Sequence, residues 1–176
     1  MSRKYKFHEA EGLYFVTFAT IGWVDALTRP KQKEILLESI RHCQREKGLR
    51  LSAWVVMSNH VHLVCQAAGT QTLPEIFRDL KKFTSRQLIA SLQEPGESRA
   101  EWMLPLFRQA GAANPNNRHV QFWQQDNHPI MIQGEAMYRQ KVDYIHENPV
   151  KAGIVAEAHH YLYSSAHDAR LLDLVY

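Results

Sequence analysis

Cysteine is scarce in this chain: Cys43 and Cys65 are the only two in 176 residues, and neither belongs to a C-x-x-C pair. A disulfide framework is thereby excluded, and both thiols are expected to pack, Cys65 in a strand and Cys43 on a helix. Long apolar runs are missing too, and Met1-Ser2-Arg3-Lys4-Tyr5-Lys6 leads into no signal-like stretch, so a cytoplasmic protein without a membrane span is expected. Charge of one sign is also in short supply. A net charge of +3 permits an anionic partner without demanding one, so the placement of charges carries more information than their sum. There is no internal repeat and no low-complexity tract. An apolar fraction of 45% argues against general disorder, and the length suits one domain over residues 1–176.

The sequence does contain Trp54-Val55-Val56-Met57-Ser58-Asn59-His60-Val61-His62-Leu63-Val64. This reads as two strands, Leu49 to Met57 and His60 to Gln66, turning at Ser58-Asn59. Side chains alternate along a strand, so His60 and His62 project from one face and can grip one divalent metal. The plainer alternative is two partly exposed histidines on an open sheet. An enzyme using only this H-x-H pair would need an acidic ligand soon after it. None stands between Leu63 and Pro74, so a third ligand must come from elsewhere.

Around the hairpin, Leu13 to Thr20 reads as a buried strand. Pro30 opens a helix over about Lys31 to Lys47, with Ile35, Leu36, Ile40 and Cys43 as its apolar stripe and Gly48 at its end. A second helix spans about Leu73 to Leu92, offering Ile76, Phe77, Leu80, Phe83, Leu88 and Ile89 to the core. Periodicity fails over 93–118, which is expected to be a mobile loop insertion with an apolar patch from Trp102 to Phe107. His119 to Gln124 reads as a last strand, and Gly134 to Glu147 as a third helix stopping before Asn148-Pro149. The tail is mixed, with a short helix expected near Ser165 to Leu172. The order β-α-β-β-α-β specifies a ferredoxin-like α+β sandwich with an antiparallel sheet, plus a C-terminal tyrosine-bearing helix.

On that last helix Tyr138, Val142 and Ile145 form the apolar stripe. Tyr144 is turned roughly 120° away from Tyr138 at about 100° per residue, and shares its side with Lys141 and Asn148. The helix therefore separates a packing tyrosine from one whose hydroxyl is better placed for other work, although an amphipathic tyrosine at the edge of the core fits the same geometry.

Met57-Ser58-Asn59-His60-Val61-His62-Leu63 followed by Tyr144-Ile145-His146-Glu147-Asn148-Pro149-Val150-Lys151-Ala152-Gly153 resembles the HUH single-tyrosine, IS200-like transposases, above all the branch of REP-associated tyrosine transposases. Lys82-Phe83-Thr84, Phe122-Trp123-Gln124 and Tyr163-Ser164-Ser165-Ala166 are similar to that branch as well. The resemblance implies a ferredoxin-like domain that binds single-stranded DNA beside a REP-like hairpin. It implies His60, His62 and Asn148 as ligands of Mg²⁺ or Mn²⁺, and Tyr144 as the nucleophile that forms a 5′-phosphotyrosine. It also allows a homodimer in which Asn148 comes from the partner chain. The alternative within the same fold is a host-retained protein that recognises structured single strands with its catalysis idle. No position matched to the catalytic motifs is missing, which favours the enzyme.

For DNA contacts, Arg78, Lys82 and Arg86 recur at i, i+4 and i+8 with Lys81 beside them, a row suited to phosphates, although the same pattern can be a solvated helix face. Further candidates are Lys141, Arg3, Lys4, Lys6, Arg118 and His119. Trp23, Trp102 or Trp123 could stack unpaired bases. His128, His146, His159, His160 and His167 are expected to be surface or loop residues.

Overall fold

Strand alternation divides the apolar side chains of the sheet between two cores, one on each face. The computed structural model describes residues 7–114 and 119–175, so Arg3, Lys4, Lys6 and Arg118 lie outside the described residues. The strands are β1 (Tyr14–Ala19), β2 (Leu49–Val56), β3 (His60–Ala67) and β4 (Ile130–Met131), in the spatial order β2-β3-β1-β4 with every pairing antiparallel. The helices are α1 (Pro30–Lys47), α2 (Leu73–Leu92), α3 (Ala100–Ala112) and α4 (Gly134–Lys151). Order and directions are those of an α+β ferredoxin-like sandwich.

One core joins Val16 and Phe18 of β1 and Leu63 and Cys65 of β3 to Leu36 and Ile40 of α1 and Ile76 and Phe77 of α2. The other joins Phe15, Val55 and Val64 to Ile145 of α4, with Tyr138 and Val142 packed against it. The sheet face that carries the histidines is therefore covered by the tyrosine helix, not open. No helix among the described residues is long and apolar enough to cross a membrane.

Local chemistry sets the helix ends. Pro30 and Pro74 occupy first-turn positions, where a missing N–H costs nothing. At the start of α2 the Glu75 carboxylate accepts the Thr72 N–H at 2.8 Å, closing a capping box. Gly48 ends α1 in the left-handed region at φ 72°, donating its N–H to the Cys43 carbonyl.

Several expectations are corrected. The segment 93–118 carries α3, whose Met103 and Phe107 are buried, because tertiary packing outweighs the helix-breaking Pro105 and Gly111. His119 to Gln124 holds only an isolated bridge, Trp123 to Thr20, and the fourth strand is β4. The helix α4 does not stop before Asn148. It runs on to Lys151, because Pro149 is buried and the last turn is closed by N–H donation from Ala152 to the Asn148 carbonyl at 3.0 Å. Phe83 is exposed rather than in the core. The tail forms no helix near Ser165 to Leu172. Instead the Val56 N–H donates to the Tyr163 carbonyl and the Ser165 N–H to the Trp54 carbonyl, which covers the outer edge of β2.

Gly48 meets a second constraint, since a Cβ there would lie 2.9 Å from the Gly69 nitrogen. Gly48→Ala should lower the stability to urea by about 2 kcal/mol, the left-handed penalty plus the backbone contact. A loss below ~0.5 kcal/mol, the range of an ordinary surface change, would contradict this placement.

Candidate active site

The register of the central strands sets His60 opposite Ala19, and His62 opposite Thr17 of β1 and Val55 of β2. Both imidazoles consequently stand on the α4 side of the sheet, their ring centroids 4.6 Å apart. His62 is 5% exposed. Its Nδ1 lies 2.7 Å from Thr17 Oγ1, while its Nε2 is buried and has no hydrogen-bond partner among the described residues. With Nδ1–H donating to Thr17, the lone pair sits on Nε2, the arrangement that metal-bound histidines use. Burial, then the His60 and Lys141 charges, lowers the His62 pKa to about 3, so the ring is neutral at physiological pH. Burial also lowers that of His60, opposed by a hydrogen bond with the Asn148 side chain and by Asp25.

Asn59, in the turn before His60, ties the site together. Its Oδ1 is 2.6 Å from His60 Nδ1, its Nδ2 donates to the Trp23 carbonyl at 3.0 Å, and its own carbonyl accepts the Thr20 N–H at 2.9 Å. The neighbouring Ser58 donates to Asp25 Oδ1 at 2.5 Å. The dipeptide read as a turn is thus also an orienting device for the first histidine, a role that spacing alone could not reveal.

From α4, Tyr144 brings its ring 5.2 Å from that of His62 and 5.8 Å from that of Phe15. It is 42% exposed, whereas Tyr138 is half-buried against the second core. Lys151 Nζ lies 5.8 Å from the Tyr144 ring centroid, and Lys141 Nζ lies 4.9 Å from that of Phe15. One turn past Tyr144, Asn148 reaches His60. All four residues that the motifs single out, His60, His62, Tyr144 and Asn148, therefore meet within one chain. Two imidazoles and an amide oxygen, with one imidazole nitrogen buried and unpartnered, suit a divalent ion that keeps open positions for phosphate oxygens.

The basic row is elsewhere. Arg78, Lys82 and Arg86 are exposed on α2, across the sheet from α4, and Lys82 and Arg86 flank Phe83 along a groove of about 1070 Å³ between α1 and α2. Lys81 is separated from them. It donates to Asn127 Oδ1 at 2.8 Å and to the Gln125 carbonyl at 3.1 Å, and burial lowers its pKa to about 8.

Of the tryptophans, Trp123 is 4% exposed and donates Nε1–H to Thr84 Oγ1 at 2.9 Å, so it is a core residue and not a stacking platform. Trp23 and Trp102 are exposed. His146, expected at the surface, instead contacts Ser165 Oγ at 2.9 Å, which stitches α4 to the strap along β2. Glu157, His159 and His160 bring ligand atoms within 4.8 Å of one another on the surface turn after α4. The 3.4 Å contact between His159 and Glu157 belongs to an exposed surface turn, where such contacts are common.

Comparison with known proteins places the chain in a family and a fold. Residues 14–103, just over half of the chain, match the family described as IS200-like transposases. The REP-associated tyrosine transposase of Escherichia coli (strain K12) is 25% identical over 138 residues, which span 77% of this chain and 66%, just under two thirds, of that relative. A solved structure of a REP-associated tyrosine transposase bound to a REP hairpin superposes with a TM-score of 0.67 at 22% identity, covering 94% of this chain and 82% of that one, and shows the same fold.

If Thr17 holds His62 with Nε2 free, removing its hydroxyl should weaken metal binding without disturbing the strand. Thr17→Val is expected to raise the Mn²⁺ dissociation constant about tenfold, the lower end of the range for such supporting partners. Electron paramagnetic resonance of free Mn²⁺ gives the readout, and an unchanged constant would remove Thr17 from the site.

Proposed function

Since this chain belongs to the IS200-like transposase family, we propose that it is a metal-dependent single-stranded DNA endonuclease and strand transferase acting through Tyr144. The observation that carries this reading is the meeting of an exposed phenol with two imidazoles and an amide on one sheet face. A phosphodiester fits the site chemically, because a nucleophile, a set of ligands and two lysines converge there.

In the reaction, the Tyr144 hydroxyl loses its proton and its oxygen attacks the scissile phosphorus. The bond from phosphorus to the 3′-oxygen breaks, and that oxygen takes up a proton to leave as a 3′-OH. The 5′-phosphate stays on Tyr144 as an ester, which keeps the bond energy. A second 3′-OH can therefore reverse the step and join strands without ATP. A phenol is a weak nucleophile until it gives up its proton. Lys151, 5.8 Å from the Tyr144 ring centroid, and Lys141, beside Phe15, bring positive charge to this face that suits phosphate oxygens. His60, His62 and Asn148 would hold Mg²⁺ or Mn²⁺, which would supply Lewis acidity towards the phosphate oxygens.

The substrate is single-stranded DNA beside a hairpin, a reading supported by the relative solved with a REP hairpin. Arg78, Lys82 and Arg86 face away from Tyr144, so within this reading they hold phosphates distant from the break.

Hairpin-bearing oligonucleotides incubated with Mn²⁺ should yield a covalent protein–DNA adduct. Tyr144→Phe should abolish the adduct while leaving affinity within about twofold, as expected when only transition-state chemistry is lost. Tyr138→Phe should remain active, and His60→Ala should bind without cleaving. An adduct formed by Tyr144→Phe would refute the assignment of the nucleophile, and binding without any adduct in the wild type would identify a protein that recognises but does not cut.

A further inference from the structure

Four rings follow one another along the catalytic face. Tyr144 lies 5.2 Å from His62, His62 lies 4.6 Å from His60, and His60 lies 5.6 Å from Trp23, edge to face at 62°. The reaction uses the first three and leaves Trp23 without a role. Trp23 is nonetheless 50% exposed, beside the half-buried His60.

Its backbone is also unusual. Trp23 sits at φ 56°, directly after Gly22 at φ 63°, in a 3₁₀ turn that leaves the end of β1. Glycine adopts that region freely, but a tryptophan there is strained and must be held by its surroundings. The holding groups are present. The Trp23 N–H donates to the Thr20 carbonyl at 3.1 Å, its carbonyl accepts from Asn59 Nδ2 at 3.0 Å, and Thr20 Oγ1 donates to the Val24 carbonyl at 2.8 Å. Asn59 is the residue that also orients His60. The Trp23 backbone is therefore held beside His60, against whose ring the indole packs, and the residue is half open to solvent.

Resting on the proposed strand cleavage, the geometry points to Trp23 as a binding subsite for one unpaired nucleobase, that of the nucleotide which departs with the free 3′-OH. The side follows from the displacement. Attacking and leaving oxygens lie in line on opposite sides of the phosphorus. Tyr144 stands at one end of the row of rings, so the leaving nucleotide is directed towards the other end, where Trp23 waits. An indole stacks on any base, so the subsite fixes position without reading sequence.

The test is an abasic walk. Oligonucleotides lacking the base on either side of the scissile phosphate are bound to, and cleaved by, wild type, Trp23→Phe and Trp23→Ala with Mn²⁺, and Trp102→Ala serves as an equally exposed control. Thermal melting confirms that each variant folds. Loss of the base on the 3′-OH side should weaken wild-type binding about tenfold, within the range for one stacked base. Trp23→Ala should already show that loss on intact DNA and lose nothing more with the abasic strand. Trp23→Phe should keep most of the coupling, and Trp102→Ala all of it. An equal abasic loss in wild type and Trp23→Ala overturns the subsite, and coupling to the base on the phosphotyrosine side overturns its orientation. Adduct formation by the wild type on intact DNA reads the proposed reaction separately, because the binding arm needs no cleavage.

Discussion

The register of β3 between β1 and β2 is the constraint on which the rest of the molecule depends. With His62 opposite Thr17 and Val55, both histidines face α4. A slip of one residue would turn them into the core beneath α1 and α2 and expose Val61 and Leu63 to the tyrosine helix. That alternative buries two imidazoles without partners and strips apolar residues from the larger core, so hydrophobic patterning and site geometry specify the same register. The irregularity between Leu51 and Ala53 belongs to this constraint. It shifts β2 by one residue, so that Leu51 packs in one core while Ala53 and Val55 pack in the other.

Several motif residues that carry no chemistry make sense as supports of this face. Trp123 and Thr84 bond to each other beneath the sheet, and Gln124 donates its N–H to the Ala19 carbonyl at the end of β1. Ser165 links the backbone of Trp54 to His146 on the tyrosine helix. Both ends of the sheet face beneath α4 are thereby tied to elements distant in sequence, and Tyr144 is set on a helix whose position does not rest on apolar packing alone. Lys81, partly buried and bonded to Asn127, anchors the stretch leading into β4 in the same way.

Much of this was legible in the residues, and the failures have physical causes. The histidine hairpin, α1 and α2 were readable because their periodicities are regular and their ends carry Pro, Gly and a capping box. The helix α3 was hidden by Pro105 and Gly111, since propensity cannot register that Met103 and Phe107 find a core to enter. Pre-proline sterics suggested that α4 ends before Asn148, yet burial of Pro149 carries the helix through. The extra turn keeps Asn148 on the Tyr144 side of the helix and within reach of His60. The two-residue β4 is too short for any alternation to announce it. The roles of Asn59, Thr17 and Ser165 depend on partners far away in the sequence, and no spacing encodes them.

The central claim is that one chain assembles both halves of the site, its own α4 lying on its own sheet. Complementation tests this most directly. Tyr144→Phe, which keeps the histidines, and His62→Ala, which keeps the tyrosine, are mixed in equal amounts, co-refolded to allow exchange, and assayed for adduct on hairpin DNA with Mn²⁺. Assembly within one chain predicts that the mixture stays as inactive as either variant alone. Recovery of about a quarter or more of wild-type adduct, the level expected if exchanged helices complete one site in each mixed dimer, would contradict it and place the tyrosine of one chain against the histidines of another.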